Sequence, residues 1–241
     1  MDRSKIGFVV GLSAEAKLLR RFGVQVGIGG GFPAGAARAA EKLVADGAAA
    51  LVSFGLAGGL NPALQPGAVL VPQSVIDDGD TYLCDSTLVE WLSGSNVKFM
   101  MSAKQVAETE SDKAALFERT KAAAIDLESG AVARVAAARN IPFAVLRAVA
   151  DPAQRNLPPA ALIALNGAGE IGFLSVLASV FKEPSQIPAL ITLGQDAAKA
   201  RGFRYLAVHR LARAKREIHQ RGARAFRERR IARGDRPGHI E

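Results

Sequence analysis

Short apolar runs that end in glycines or acids, each followed by an alanine-rich stretch with helical spacing, recur along this chain and restrict it to few architectures. Lys5–Gly11, Val24–Ile28, Ala49–Phe54, Ala68–Val71 and Phe143–Ala150 have the length and character of buried strands. Ala14–Phe22, 34–46, Asp112–Lys121 and 130–139 read as helices, with Asp46-Gly47 and Asn140 as stops. Val97–Met101 reads as a further strand in the less regular segment 77–111, and Pro158-Pro159 start another helix over 160–165. Residues 170–182 and 187–200 read as two more helices, broken at Pro184. Strands alternating with helices over 5–182 predict an α/β fold: a three-layer αβα sandwich, with helices on both faces of a central sheet.

The 241 residues, 49% of them hydrophobic, suffice for one large domain over 1–200. The net charge of +8 misleads, because residues 199–241 alone carry +10 and the chain before them −2. Residues 201–241 are therefore a basic extension rather than part of the body. One cysteine, Cys84, makes no internal disulfide, which predicts a cytoplasmic protein. Arg3, Lys5, the run Ile6–Leu12 and Ala14-Glu15-Ala16 mimic a secretory signal, but the run is at the short limit and a charged helix pattern follows at once. No apolar stretch approaches the ~20 residues of a membrane span.

Chemistry concentrates in Ala123–Ala133, where Asp126 and Glu128 close an apolar run and open a helix. Asp151 closes the next apolar run. Carboxyl ends of adjacent strands share a crevice in α/β sheets, so Glu128 and Asp151 are expected to face one ligand. Each acid also has a plain reading. Asp126 and Ser129 can cap helix 130–139, Glu128 can favour its dipole, Asp151 can be a turn residue before Pro152, and Glu15 a helix-start carboxylate. Asp77-Asp78-Gly79-Asp80 reads as a solvated turn, since the rest of a calcium loop is missing. The glycines of 27–31 and 55–59 allow close approach of backbone to a ligand, and Gly29–Gly31 form a candidate anion nest. Gly27–Pro33 also resembles a dinucleotide-binding turn, but G-x-G-x-x-G is incomplete and the next strand lacks the ribose-binding acid, so an oxidoreductase fits poorly. A nucleic-acid-binding module would leave three carboxylates unexplained.

Lys5-Ile6-Gly7 with Glu15, Gly27-Ile28-Gly29, Gly55-x-Ala57-Gly58-Gly59, Asp126-Leu127-Glu128-Ser129 and Arg147-Ala148-x-x-Asp151 stand in the order and spacing of one family. In them the chain resembles the purine nucleoside phosphorylase and methylthioadenosine/adenosylhomocysteine nucleosidase superfamily, over residues 5–182. Leu127–Ala133, Asp151-Pro152 and the stretch from Leu157-Pro158-Pro159 to Ile187–Leu190 look most like the hopanoid-associated phosphorylases, which are thought to release adenine from the lipid-linked nucleoside adenosylhopane. The resemblance implies a nucleoside phosphorylase-like mixed sheet, a purine nucleoside as substrate, no cofactor or metal, and a homo-oligomer.

It also implies roles. Asp151 would be the general acid at N7 of the leaving base, kept protonated by the apolar run Phe143–Val149. Glu128 would accept hydrogen bonds from the ribose hydroxyls beside an oxocarbenium-like transition state. Glu15 would activate water on the opposite face of the sugar, an inverting arrangement. Arg147 would hold the loop or orient Asp151. Leu127, Gly29, Gly30, Gly55, Leu56, Ala57 and Val106 would line the substrate. Departures from the family pattern favour water over phosphate. Ser53 and Leu56 stand where phosphorylases use an Arg and a Ser, and Glu15 would repel an anion; a separate departure, replacement of the aromatic that stacks on the base near Val106-Ala107, loosens base selectivity instead.

Apolar residues at Leu211, Ala214, Ile218, Ala225 and Phe226 recur amid arginines in 207–233. Three readings stay open: an amphipathic helix on anionic lipid at the inner face of a membrane, a non-specific nucleic-acid contact, and a solvated extension weakened by Gly222, Gly234 and Gly238.

Overall fold

In a computed structural model, the structure describes residues 5–159 together with the single position Gln195. The helices expected over 160–165, 170–182 and 187–200, and the basic extension 201–241, lie outside the described residues. The elements, in order, are β1 Ile6–Val10, α1 Ser13–Arg20, β2 Gln25–Ile28, α2 Pro33–Ala45, β3 Ala50–Gly59, β4 Val69–Asp77, β5 Asp80–Leu83, α3 Ser86–Leu92, β6 Ser95–Ser102, α4 Glu110–Thr120, β7 Ala124–Asp126, α5 Ser129–Ala138 and β8 Phe143–Asp151. No helix among the described residues is long and apolar enough to cross a membrane.

The alternation of side chains along each strand separates two apolar faces. Ile6, Phe8 and Val10 of β1, with Ala50, Val52 and Phe54 of β3, pack under Ala16 and Leu19 of α1 and Leu88 and Leu92 of α3. Val9, Leu51, Val145 and Val149 face the other way, onto the alanine-rich sides of α2 and α5. Period-two strands clad by helices on both sides make the expected three layers. Small residues on α2 and α5 let these helices approach the sheet closely, and a Cβ on Gly7 or Gly27 would already press on Leu43.

The eight strands form one mixed sheet. β2, β1, β3 and β8 run parallel, β8 meets β4 antiparallel, β4 and β6 are parallel, and β6 pairs in parallel with β7. β7 then returns antiparallel to β3, so β3, β8, β4, β6 and β7 close a ring. A third apolar cluster, with Leu60, Ala122 and Ile125 at its centre, packs against Leu116 and Phe117 of α4.

Two expectations change here. The third strand, expected over Ala49–Phe54, runs further: β3 continues through Gly59, because β8 pairs with it as far as Gly58 and β7 meets Gly58 and Gly59. Asp77 is not part of a solvated turn: it ends β4, buried, with its carboxylate paired to Arg134 and packed on Gly130, where any side chain would collide with it. The turn itself is Asp78-Gly79, both at positive φ, as a two-residue hairpin between β4 and β5 requires.

Candidate active site

Along one edge, β3 pairs with β1 as far as Phe54 and with β7 from Gly58 onward. Between these, Gly55, Leu56 and Ala57 pair only with β8. A strand that exchanges one neighbour for another leaves a crevice, and the turns that leave β1 and β7 both open into it. Those turns carry Glu15 and Glu128, while β8 contributes Arg147 from the opposite edge of β3.

Arg147 is buried at the centre of a polar cluster. Its Nη2 donates to Ser53 Oγ at 2.7 Å and to Ser129 Oγ at 3.3 Å. The same nitrogen pairs with Asp126 Oδ2 at 2.6 Å and lies 3.6 Å from Glu128 Oε2. Asp126 also closes the turn into α5: its Oδ1 accepts from the N–H groups of Glu128 and Ser129, and its Oδ2 from the Ser129 hydroxyl. Asp126 thus holds the turn ahead of α5, whose N-cap position is Glu128 with no side-chain cap bond, and it is in addition the chief counter-ion of Arg147. Glu128 Oε1 accepts from the Gly31 N–H at 3.2 Å. Glu15 sits in the first turn of α1 and accepts from the N–H groups of Gly11 and Leu12, each at 3.0 Å. Its other oxygen is directed at β3, where a Cβ on Gly55 would lie 3.3 Å from it and would collide with Arg147. Gly11 and Gly29 likewise make room for Glu128, whose oxygens would lie 3.0 and 2.9 Å from an added Cβ. These glycines admit carboxylates that any side chain would displace.

Three buried carboxylates thus share one guanidinium. Burial pushes the Glu128 carboxyl up to about 7; Arg147 opposes the shift, Asp126 and Glu15 reinforce it, and the Gly31 N–H opposes it. Burial alone would lower the proton affinity of Arg147, but Asp126, Glu128 and Glu15 more than offset that and hold it above its ordinary value. Among the described residues the cluster holds more carboxylates than cations, which suits a ligand that brings hydroxyl donors or develops positive charge.

Asp151 lies at the end of β8, beyond a bulge in which Ala150 is the extra residue and Asp151 comes opposite Gly58. Its Oδ2 meets Lys113 Nζ at 2.5 Å, and that ammonium is completely buried. Lys113 also donates to the carbonyls of Pro152 at 3.1 Å and Arg155 at 2.7 Å. The apolar run Phe143–Val149 is therefore not the whole surrounding of Asp151: a buried ammonium lies against it, and such a neighbour favours the charged form of a carboxylate. Arg147 is separated from the task of orienting Asp151: the guanidinium is engaged by Asp126, Ser53 and Ser129, four residues back along β8. Gly55 marks the first centre on β3 and Gly58 the second, about 10 Å apart at strand spacing.

The remaining expected positions divide. Gly55, Leu56 and Ala57 line the unpaired edge of β3, with Leu56 packed on Ala148 and Ala150. Leu127 is half-buried between Asp126 and Glu128, and Gly30 adopts a positive φ in the turn after β2. The Gly29–Gly31 segment is not an open anion nest: the Gly29 N–H is bound to the Val10 carbonyl at 2.7 Å and the Gly31 N–H to Glu128. Ser53, fully buried, is engaged by Arg147 and Ser129. Val106 borders an open groove of about 760 Å³, between the end of β6 and α4, with Met101, Ala107, Leu116 and Ile125 on its apolar side. Among the described residues no group of three or more His, Cys, Asp or Glu is arranged to hold a metal. Cys84 is half-buried, and burial pushes its thiol up to about 12, which excludes it as a nucleophile at neutral pH. Lys113 escaped the sequence reading because Lys104 and Lys121, in similar polar surroundings, are exposed.

The profile of the phosphorylase superfamily matches residues 24–90 and 96–169. No curated protein matches the chain in sequence. Among solved structures, a futalosine hydrolase mutant of Helicobacter pylori is similar at 16% identity and a TM-score of 0.59, covering 73% of this chain and 98% of its own. A 5'-methylthioadenosine/S-adenosylhomocysteine nucleosidase of Neisseria meningitidis, in complex with methylthio-immucillin-A, is similar at 17% identity and a TM-score of 0.58, with the same coverage. The Helicobacter pylori nucleosidase of the same name, with butyl-thio-DADMe-Immucillin-A, reaches a TM-score of 0.60 at 17% identity, covering 85% of this chain and 97% of its own. At such identities these likenesses concern the fold, whereas the profile spans more than half of the sequence and includes Glu128, Arg147 and Asp151: the chain belongs to the phosphorylase superfamily.

Proposed function

We propose that this protein hydrolyses the N-glycosidic bond of a purine nucleoside and releases adenine, with adenosylhopane, a lipid-linked nucleoside, as its substrate. The observation that carries the reading is the cluster of Glu15, Asp126 and Glu128 around Arg147, on the same strand, β8, as Asp151. As the bond to the base breaks, positive charge grows on the ribosyl carbon and negative charge on the purine. Surplus carboxylate near Glu128 favours the first and can hold the ribose hydroxyls, and Glu15 takes a proton from the attacking water. Asp151 meets the leaving base.

Water is favoured over phosphate because Ser53 and the Gly29 and Gly31 N–H groups are already engaged, and because a dianion would enter beside three carboxylates. An apolar substituent is supported by Leu12 and Ile28, exposed large hydrophobic residues at the ends of the β1 and β2 turns that frame the cluster. The basic segment 207–241 would bring such an enzyme to an anionic membrane.

Purified protein given adenosine, methylthioadenosine and adenosylhopane, each with and without phosphate, is expected to release adenine without phosphate and fastest from adenosylhopane. Strict phosphate dependence would establish phosphorolysis instead, and no adenine under any condition would end the assignment. Deleting 207–241 should lower co-sedimentation with anionic vesicles.

A further inference from the structure

Helix α4 has one buried residue, and it is a lysine. Lys113 has no exposed surface, and its three ammonium donors match three oxygens: Asp151 Oδ2, the Pro152 carbonyl and the Arg155 carbonyl. Burying an ammonium is unfavourable compared with burying an aliphatic side chain of the same volume, so the fold by itself does not call for a lysine here. The surrounding chain is nonetheless built to hold it. Thr109 and Asp112 form a capping box at the start of α4, the Glu110 N–H is bound to Asn156 Oδ1 at 2.8 Å, and the Leu157 N–H to the Glu108 carbonyl at 2.8 Å. These ties fasten the N-terminal end of α4, just ahead of Lys113, to residues 156 and 157.

We propose that Lys113 is the positioning residue of Asp151 and holds the proton that Asp151 passes to the leaving base. This rests on the glycosidic cleavage proposed above. Before the bond breaks, the pair is ammonium and carboxylate. As the bond between the ribosyl carbon and N9 breaks, its electron pair stays on the purine, whose N7 becomes basic. The Lys113 proton moves across the 2.5 Å hydrogen bond to Asp151, and the carboxyl so formed gives a proton to N7. Lys113 is left as an amine and Asp151 as a carboxylate. Water loses its proton to Glu15 as its oxygen bonds to the ribosyl carbon, and that proton returns to Lys113 through solvent when the products leave. The two carbonyls beside Nζ suit this use, because unlike carboxylates they hold the ammonium without fixing its charge.

The test uses K113M and K113R in the full chain, with two readouts. The first does not depend on activity: the carboxyl carbon resonance of Asp151, identified by its absence in D151N, is followed against pH. It should report a carboxylate across the neutral range in the wild type and in K113R, and should take up a proton at higher pH in K113M. The second is the pH profile of kcat for adenine release. K113M should lose roughly 100-fold at pH 8 and recover as pH falls, because solvent then protonates Asp151 directly. K113R keeps the charge but gives up no proton, so it should lose as much at pH 8 and recover less. Wild-type kcat in K113R would overturn the proton-holding role, and an unchanged Asp151 titration in K113M would overturn the positioning role. If the wild type releases no adenine from any nucleoside, the glycosidic assignment fails while the Asp151 titration still decides whether Lys113 sets its charge.

Discussion

Two buried groups of charges lie along β8, one around Arg147 and one at Asp151, and they are balanced differently. Around Arg147 three of the described carboxylates share one cation, and burial, reinforced by Asp126 and Glu15, leaves the Glu128 carboxyl near 7. At Asp151 one carboxylate faces one ammonium whose remaining donors end on carbonyls. Surplus charge keeps the first group responsive to ligand and pH, while a matched pair fixes the charges of the second until another charge develops beside it. The proposed glycosidic cleavage would use that asymmetry, with a cationic sugar at one end and an anionic base at the other.

Removing the shared cation should have the largest effect. R147M would leave three buried carboxylates uncompensated and is expected to destabilise the fold by about 3–5 kcal/mol, measured by urea unfolding at pH 7. An undiminished midpoint would mean that the cluster is neutral rather than charged. Next come the two centres compared through activity. E15Q and D151N should each reduce kcat by roughly 10²–10⁴-fold. D151N should also lower the melting temperature, because Lys113 loses its counter-charge; E15Q should change it less, since the glutamine oxygen can still cap Gly11 and Leu12. Equal melting shifts would remove the distinction between matched and surplus charge.

The surplus also predicts a pH dependence with a definite sign. Glu128 holds its proton to about 7 when folded, against an ordinary value of 4.5, so the folded state binds more protons than the unfolded between those limits. Stability should therefore fall as pH rises from 5 to 8, by about 3 kcal/mol at most from this group. E128Q, which does not titrate, should show a flatter profile. A wild-type curve that rises over that range would contradict the cluster's charge balance. The smallest change is expected from T109A. Losing the cap of α4 should cost about 1 kcal/mol. If α4 serves to hold Lys113, T109A should also alter the Asp151 centre, with kcat reduced a few-fold and the Glu128-dependent pH profile unchanged.

Much of this was legible in the chain. Strand and helix alternation set the α/β layers, since period-two and helical spacing of apolar residues are local properties. The acids Glu15, Glu128 and Asp151 could be singled out because each follows a strand-like run. Where the reading failed, the cause was non-local. The third strand reads as ending at Phe54 because glycine is unfavourable in strands, yet β8 pairs with Gly55 to Gly58 and Arg147 needs the space that Gly55 leaves. Asp77 looked solvated because its sequence neighbours are aspartates, yet Arg134 and Gly130 receive it from α5.

The sequence by itself determined which elements form, how they layer, and that carboxylates gather at strand ends, because periodicity and chain order carry that information. Only the tertiary structure decided how the charges are partnered. Closing the ring through β7 brings Asp126 to Arg147, and docking α4 sets Lys113 behind Asp151. Whether an acid is a charged anchor or a titrating group depends on what burial places within a few ångströms of it, and the residues that do so here stand 21 and 38 positions apart.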